Sequence, residues 1–366
     1  MKIVYAIATL AGTIIGVGFF ALPYITLKVG FWVMLGYFLI LGSLVILIHS
    51  FFGELSLKTP DLKRLPGFAK IYLGKAGESL AYLSTVLGFF GAILAYLIVG
   101  GEFLNELLSP IFGGSPLFYT FLYFALGALL IFFGIKAVVK VELFGLILFI
   151  AILLIVFFKS QNSIVISNLF PKPDWSYLFL PYGVILFSLW GGAALIPEIE
   201  EILGKSKKAL KWVIPLTFLI PIAVYIFFIY LILGITGVQT TELALSGIKD
   251  VLGDGVLALL LLFGLLTTFT SFIAVGLTLK KVFWYDLKIK ENFAWAITCF
   301  VPLILFLIGL KQFIFIVSFI GGVMIGIEGI LILLMYRKIK PKNFFVYSLL
   351  LVFLAGIIYA IIYFMK

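Results

Sequence analysis

The stretch Gly12-Thr13-Ile14-Ile15-Gly16-Val17-Gly18 puts three glycines inside an apolar run that extends over residues 3–27 and closes on Ala21-Leu22-Pro23-Tyr24. Each glycine costs a helix about 1 kcal/mol against alanine, and backbone left unpaired in hydrocarbon costs several kcal/mol more. Such backbone persists at membrane depth only where protein buries it or where it lines a cavity. A helix broken there offers amides at one inner end and carbonyls at the other. Amides suit a carboxylate; carbonyls suit an ammonium or a small cation. Gly12 and Gly16 also fit the small-xxx-small spacing of close helix packing, so this stretch alone leaves packing and binding both open.

A second interruption decides between them. The run Phe187-Ser188-Leu189-Trp190-Gly191-Gly192-Ala193-Ala194-Leu195-Ile196-Pro197 breaks another apolar span near its middle. Five spans separate the two breaks, so they occupy corresponding positions in two halves of opposite orientation. That correspondence marks a transporter binding site built on an inverted repeat, and packing alone does not predict it. Further on, Thr267-Thr268-Phe269-Thr270-Ser271 clusters four hydroxyls in one span. Hydroxyls in hydrocarbon bond back to their own helix; alternatively, Thr270 and Ser271 join the bared carbonyls of the first span in an all-oxygen site for a small monovalent cation.

The elements that must position these residues follow from composition. The 366 residues are 64% hydrophobic and 11% charged, with mean hydropathy +1.29, which describes an all-α polytopic membrane protein. At about 20 apolar residues per crossing, the chain divides into about 11 transmembrane helices, at residues 3–27, 31–52, 79–107, 116–133, 141–158, 180–203, 209–234, 255–280, 293–310, 312–336 and 344–365. With the N-terminus inside, 20 of the 26 Lys and Arg lie in cytoplasmic joints. That bias sets an N-in, C-out, multi-pass orientation in the cytoplasmic membrane. The net charge of +10 then reports topology and anionic lipid rather than nucleic acid. Residues 54–78, with Phe68, Ile71 and Tyr72 among the charges and Pro60 and Pro66 at turns, read as an amphipathic interfacial helix. The first span has no basic leader beyond Lys2 and reads as retained; the single cysteine, Cys299, forms no internal disulfide.

The motifs and their order resemble amino-acid permeases of the amino acid-polyamine-organocation superfamily, most closely the amino acid/auxin permease branch and its bacterial aromatic and hydroxy amino-acid permease-like members. The match is carried by residues 12–24 (GTIIGVGFFALPY), 91–104 (GAILAYLIVGGEFL), 187–201 (FSLWGGAALIPEIEE) and 270–279 (TSFIAVGLTL), with 134–142 (GIKAVVKVE) similar to the fourth-to-fifth joint of such permeases. The resemblance implies a five-plus-five inverted-repeat, leucine-transporter-like fold with broken helices 1 and 6. It divides the chain into a first repeat at 1–158, an extracellular loop at 159–179, an inverted second repeat at 180–336 and an additional helix at 337–366. It implies that amides of Gly16, Val17 and Gly18 hold a substrate carboxylate, that carbonyls of Ile14, Phe187 and Ser188 hold its ammonium, and that Trp190 and Tyr96 line the side-chain pocket. In sodium-coupled relatives the cation lies between helix-one carbonyls, here Gly12 and Ile15, and helix-eight groups, here Thr267, Thr270 and Ser271. Some proton-coupled relatives place a lysine in helix five, and this helix has none in its interior. Na+ and H+ therefore both stay open.

Glu328 is the one carboxylate well inside a span, and a membrane-embedded carboxyl is a candidate for proton coupling as well as for helix packing. His49, the only histidine, reads as a packing residue, with proton sensing as the alternative. Glu198, Glu200 and Glu201, beside Lys205, Lys207 and Lys208, read as a solvated helix end or an inner-gate network. Enzymes are not expected: no His-Glu-x-x-His pair, no nucleophile with a histidine partner and no phosphate-binding loop occurs. The expected function is secondary active, ion-coupled transport of a neutral, aromatic or large apolar amino acid. The expected partners are that amino acid, a coupling cation and membrane lipid, with no cofactor, no metal site and no nucleic acid. A polyamine substrate would want carboxylates beside the breaks, where there are none; transport of another small organic solute and a non-transporting sensor on the same fold stay open.

Overall fold

The computed structural model describes residues 2–59, 63–134, 138–191, 193–245, 248 and 253–364, with the side chains of 138–146 and 254 left aside. Residues 135–137 of the expected joint motif at 134–142 fall outside that description, as do Pro60 and Gly192, and of 138–142 the backbone alone is described. Among the described residues every regular element is helical.

Among the described residues seven helical stretches are long and apolar enough to cross a membrane, and the bent pair Lys2–Ile14 with Val17–Val29 adds an eighth. One of the seven, Leu180–Gln239, carries the expected sixth and seventh spans together, and the shorter apolar helices Ile147–Ser163 and Glu291–Leu307 stand at the fifth and ninth. All eleven expected spans therefore coincide with helices. The largest departure is the third, where helix runs over Leu65–Phe112. It begins in the segment expected at the interface, where Phe68 is buried and Ile71 is exposed. Gly74 then turns the chain into the span, in a backbone conformation (φ 75°, ψ −165°) that favours glycine.

The first span breaks as its glycines predict. Helix Lys2–Ile14 gives way at Gly16 (φ −103°, ψ −158°) to a 3-10 turn over Val17–Ala21 and then to helix Leu22–Val29, with a bend of 52°. The sixth repeats the arrangement: helix Leu180–Trp190, a 3-10 turn over Ala193–Leu195, then helix Ile196–Leu203. Pro23 and Pro197 each stand in the first turn of the second half-helix, where a missing N–H costs nothing and the fixed φ restarts the helix.

The tenth span carries a feature absent from the sequence reading. Between helices Phe313–Phe319 and Ile325–Ile339 lies a π-turn over Ile320–Met324, a widening that recurs at functional sites. The bulge is seated between the third and sixth spans by glycine. A Cβ on Gly321 would overlap the Gly183 carbonyl and reach within 3.0 Å of Phe187 N, so the backbones of spans six and ten touch. Gly321→Ala is expected to cost about 3 kcal/mol through that overlap, whereas Gly36→Ala, with no atom within 4 Å of the new methyl, is expected to be neutral or slightly stabilising. Thermal unfolding of the two purified variants in detergent checks the difference; equal midpoints would contradict the contact.

Candidate functional site

The two breaks face one another. A Cβ on Gly18 would overlap the Ser188 hydroxyl and lie 3.1 Å from Ser188 Cα, and one on Gly191 would lie 3.0 Å from the Thr13 carbonyl oxygen. Glycine is thus what allows the half-helices to approach. Across this contact the amides of Val17 and Gly18 open a 3-10 turn and have no acceptor within it. The carbonyl ends of Lys2–Ile14 and Leu180–Trp190 converge on the same place, concentrating partial negative charge there. Tyr96 closes the third side, its hydroxyl 2.9 Å from where a Gly16 Cβ would stand.

Sequence reasoning missed the residue that joins these carbonyl ends. Tyr225, fully buried in the seventh span, directs its hydroxyl at the carbonyls of Ile14 (3.0 Å) and Ser188 (2.9 Å). The Ile14 carbonyl also accepts the Gly16 N–H (2.8 Å), and one hydroxyl hydrogen is shared between the two carbonyls, so that of Ser188 keeps the greater capacity for a further donor. Nothing in the sequence separates this tyrosine from the other sixteen. His49 acts on the same element: its Nδ1 lies 2.8 Å from the Val45 carbonyl and its Nε2 3.3 Å from the Trp190 carbonyl, and a neutral ring donates to one of the two according to its tautomer. Its ring also meets the Trp190 indole edge-on at 5.0 Å.

A cavity of about 670 Å³ opens at the breaks, lined there by Ile14, Gly16, Gly18, Tyr96, Phe187, Ser188 and Trp190. Of the expected substrate residues, the side chain of Val17 alone is turned away, fully buried in packing. The π-turn contributes Ile320 and Met324 to the wall, and the cavity continues past Glu198 to Lys280 and Glu291 at the basic end of the bundle. The opposite direction is closed by packed rings: Phe19 and Phe20, 0% and 1% exposed, pack against Phe149 and Phe228 and against Phe103 and Phe228, respectively.

Glu328 also lines the cavity. Its Oε2 accepts from the Trp190 indole N–H (2.7 Å) and its Oε1 from the Thr85 hydroxyl (3.2 Å), so one carboxyl joins spans three, six and ten. The eighth-span hydroxyls bond within their own helix: Thr267 to the Phe263 and Gly264 carbonyls, Thr268 to Gly264 and Leu265, and Thr270 to Thr267. Ser271 lines the cavity. On the first-span side of the expected cation site, Ile15 is buried and Gly12 half-buried.

In the acidic cluster at the end of the sixth span Glu198 and Glu201 are exposed, as a solvated helix end requires, and Glu200 is not. Glu200 is buried, accepting from Ser56 (2.7 Å) and Lys207 (3.3 Å), because the half-helix after the break packs against the second span. Nearby, Glu54 accepts from Tyr336 (2.8 Å) and Lys340 (2.9 Å), and the bond to Glu54 raises the Lys340 ammonium above its usual pKa. Lys280 is buried at the end of the eighth span, donating to the Phe132 carbonyl (3.1 Å) and pairing with Glu291 (2.9 Å).

Tyr225→Phe removes the hydroxyl between the two carbonyl ends. The expected loss is about 1–3 kcal/mol of stability, read as a lower unfolding midpoint in detergent; an unchanged midpoint would show that the bridge contributes nothing.

Comparison with known proteins agrees with this architecture. The chain is 27% identical over 296 residues to the tyrosine-specific transport system 1 of Haemophilus influenzae, covering 76% of this chain and 72% of that protein. Among solved structures it superposes on Mhp1, a nucleobase-cation-symport-1 family transporter, in a closed conformation with bromovinylhydantoin bound (TM-score 0.66, 14% identity, 97% of this chain and 92% of that one). The inward-facing conformation of Mhp1 matches with TM-score 0.66 at 13% identity, over 90% of this chain and 76% of that one. MhsT in complex with L-phenylalanine matches with TM-score 0.57 at 15% identity, over 97% and 98%. These likenesses show the fold, the five-plus-five inverted repeat of leucine-transporter type with helices 1 and 6 broken. The protein is a multi-pass membrane transporter and not an enzyme, and its sequence matches one family over residues 1–363: the chain belongs to the tryptophan/tyrosine permease family, within the amino-acid permease group that its motifs resemble.

Proposed function

We propose that the protein carries a neutral aromatic amino acid across the cytoplasmic membrane by alternating access, coupled to Na+ or H+. The observation that carries the reading is the apposition of two broken helices at the head of a cavity whose lining there includes Tyr96, Phe187, Trp190, Ile320 and Met324. The substrate carboxylate takes the amides of Val17 and Gly18; that of Gly16, expected to join them, donates instead to the Ile14 carbonyl (2.8 Å). Its ammonium, with three donors, takes the carbonyl of Phe187 and those of Ile14 and Ser188, which Tyr225 bridges. The ring enters between Tyr96, Phe187 and Trp190, against Ile320 and Met324. The aromatic names borne by the family and by the Haemophilus relative support that choice of side chain.

With the N-terminus inside and the C-terminus outside, the basic end is cytoplasmic, and the cavity describes a conformation open to the cell interior. Phe19, Phe20 and Phe103 then close the outer path. Transport moves the repeat at 1–158 against that at 180–336, with 159–179 outside and 337–366 as an added helix. The coupling cation occupies the space between the carbonyls of Gly12 and Ile15 and the hydroxyls of Thr267, Thr270 and Ser271 if it is Na+. If it is H+, Glu328 is the carrier. An ion that binds one conformation better biases the same equilibrium that the substrate does.

Uptake of radiolabelled tyrosine, tryptophan and phenylalanine into proteoliposomes, under separate sodium and proton gradients, tests the reading. At least one of the three is expected to accumulate under one gradient and not the other. Gly18→Val, which fills the gap between the breaks, is expected to abolish accumulation while the protein still elutes as a folded species. Under a sodium gradient, Thr270→Ala is expected to raise the sodium concentration for half-maximal uptake about tenfold. Saturable binding without accumulation under either gradient would favour a sensor instead.

A further inference from the structure

We propose that Glu328, with Thr85 and Trp190, forms a subsite on the tenth span that selects substrates whose aromatic ring carries a hydrogen-bond donor, the phenol O–H or the indole N–H, over a plain phenyl ring. The inference rests on the aromatic amino-acid reading above and extends it from the backbone groups that hold the amino acid to the group that reads its ring.

Beside Trp190 the cavity wall carries the hydroxyls of Ser84, Thr85 and Ser188 and one carboxylate, Glu328, on the turn that follows the π-bulge; Glu198 and Glu291 stand farther along, toward the basic end. What is exposed of Glu328 faces the cavity. A carboxylate offers about four acceptor positions on two oxygens. Trp190 occupies one on Oε2 and Thr85 one on Oε1, so each oxygen keeps a position for another donor. Among the described residues no charged side chain acts on this carboxyl: the third span presents Thr85, the sixth presents Trp190, and Phe353 of the eleventh and His49 of the second stand behind the indole.

Trp190 supplies the scale. It lies two residues beyond Ser188, which touches Gly18 at the break, and its indole reaches from that break to the Glu328 carboxyl. A substrate ring lying alongside this indole, with its amino and carboxyl groups at the break, spans a like distance and brings its own donor to the same carboxyl. A tyrosine or tryptophan ring then makes a charge-assisted bond. Phenylalanine buries that carboxyl against carbon, and a site built to bond a substrate O–H or N–H strongly rejects the analogue that lacks it.

The test is competition against radiolabelled tyrosine in proteoliposomes, comparing tyrosine, tryptophan and phenylalanine for the unaltered protein, Glu328→Leu, Glu328→Gln and Thr85→Val. The unaltered protein is expected to prefer tyrosine and tryptophan over phenylalanine by about 100-fold. Glu328→Leu is expected to shrink that ratio to within about fivefold. Glu328→Gln, which keeps an acceptor oxygen without the charge, and Thr85→Val are expected to fall between. Should Glu328→Leu take up nothing, the ratios of the other two variants decide in the same way. A ratio unchanged in Glu328→Gln and Thr85→Val overturns the subsite, as does a preference that persists while dependence on the proton gradient is lost, which assigns the carboxyl to coupling. If no aromatic amino acid is taken up or competes in the unaltered protein, the aromatic reading itself falls, and the subsite with it.

Discussion

The structure depends on how backbone left without helical partners is satisfied inside a membrane. Each such group costs several kcal/mol in hydrocarbon, so two breaks survive only because each meets the other. The carbonyl ends of Lys2–Ile14 and Leu180–Trp190 share the Tyr225 hydroxyl. The amide end at Val17 and Gly18 has no such partner within its turn. That asymmetry leaves an opening for an anion beside an arrangement of carbonyls for a cation, which is the charge pattern of an amino acid.

The remaining elements preserve that opening. Glycine at 18 and 191 removes the Cβ atoms that would hold the breaks apart. Proline at 23 and 197 restarts the helix after each break. Packed phenylalanines close one direction, and the π-turn of the tenth span shapes the wall. The contact of Gly183 with Gly321 fixes the tenth span to the first half of the sixth, so the Glu328 carboxyl keeps its place relative to Trp190 only while both helices hold register.

Much of this was legible in the sequence because the bilayer makes backbone errors expensive. Glycines at 12, 16 and 18 and at 191 and 192 within apolar runs announced both breaks, and eleven apolar runs announced eleven helices. Contacts made by a single side chain across the bundle were not legible. Tyr225 is one of many aromatic residues in an apolar chain, and its role depends on a rotation of the seventh span that periodicity does not fix. The π-turn at Ile320–Met324 leaves no signal in composition. Glu328 stood out as a carboxylate in a span, yet its partners Thr85 and Trp190 lie 243 and 138 residues away. The eighth-span hydroxyls show the converse: their clustering drew attention, while Thr267, Thr268 and Thr270 bond to their own helix.

The central claim is that the backbone of the two breaks binds the amino and carboxyl groups of the substrate. A high-resolution electron cryomicroscopy structure with saturating tyrosine tests it most directly. The account predicts density for a carboxylate within hydrogen-bonding distance of the Val17 and Gly18 amides and for an ammonium at the Ile14 and Ser188 carbonyls. Tyrosine bound elsewhere, with the space between Gly18 and Ser188 filled only by water, would contradict it.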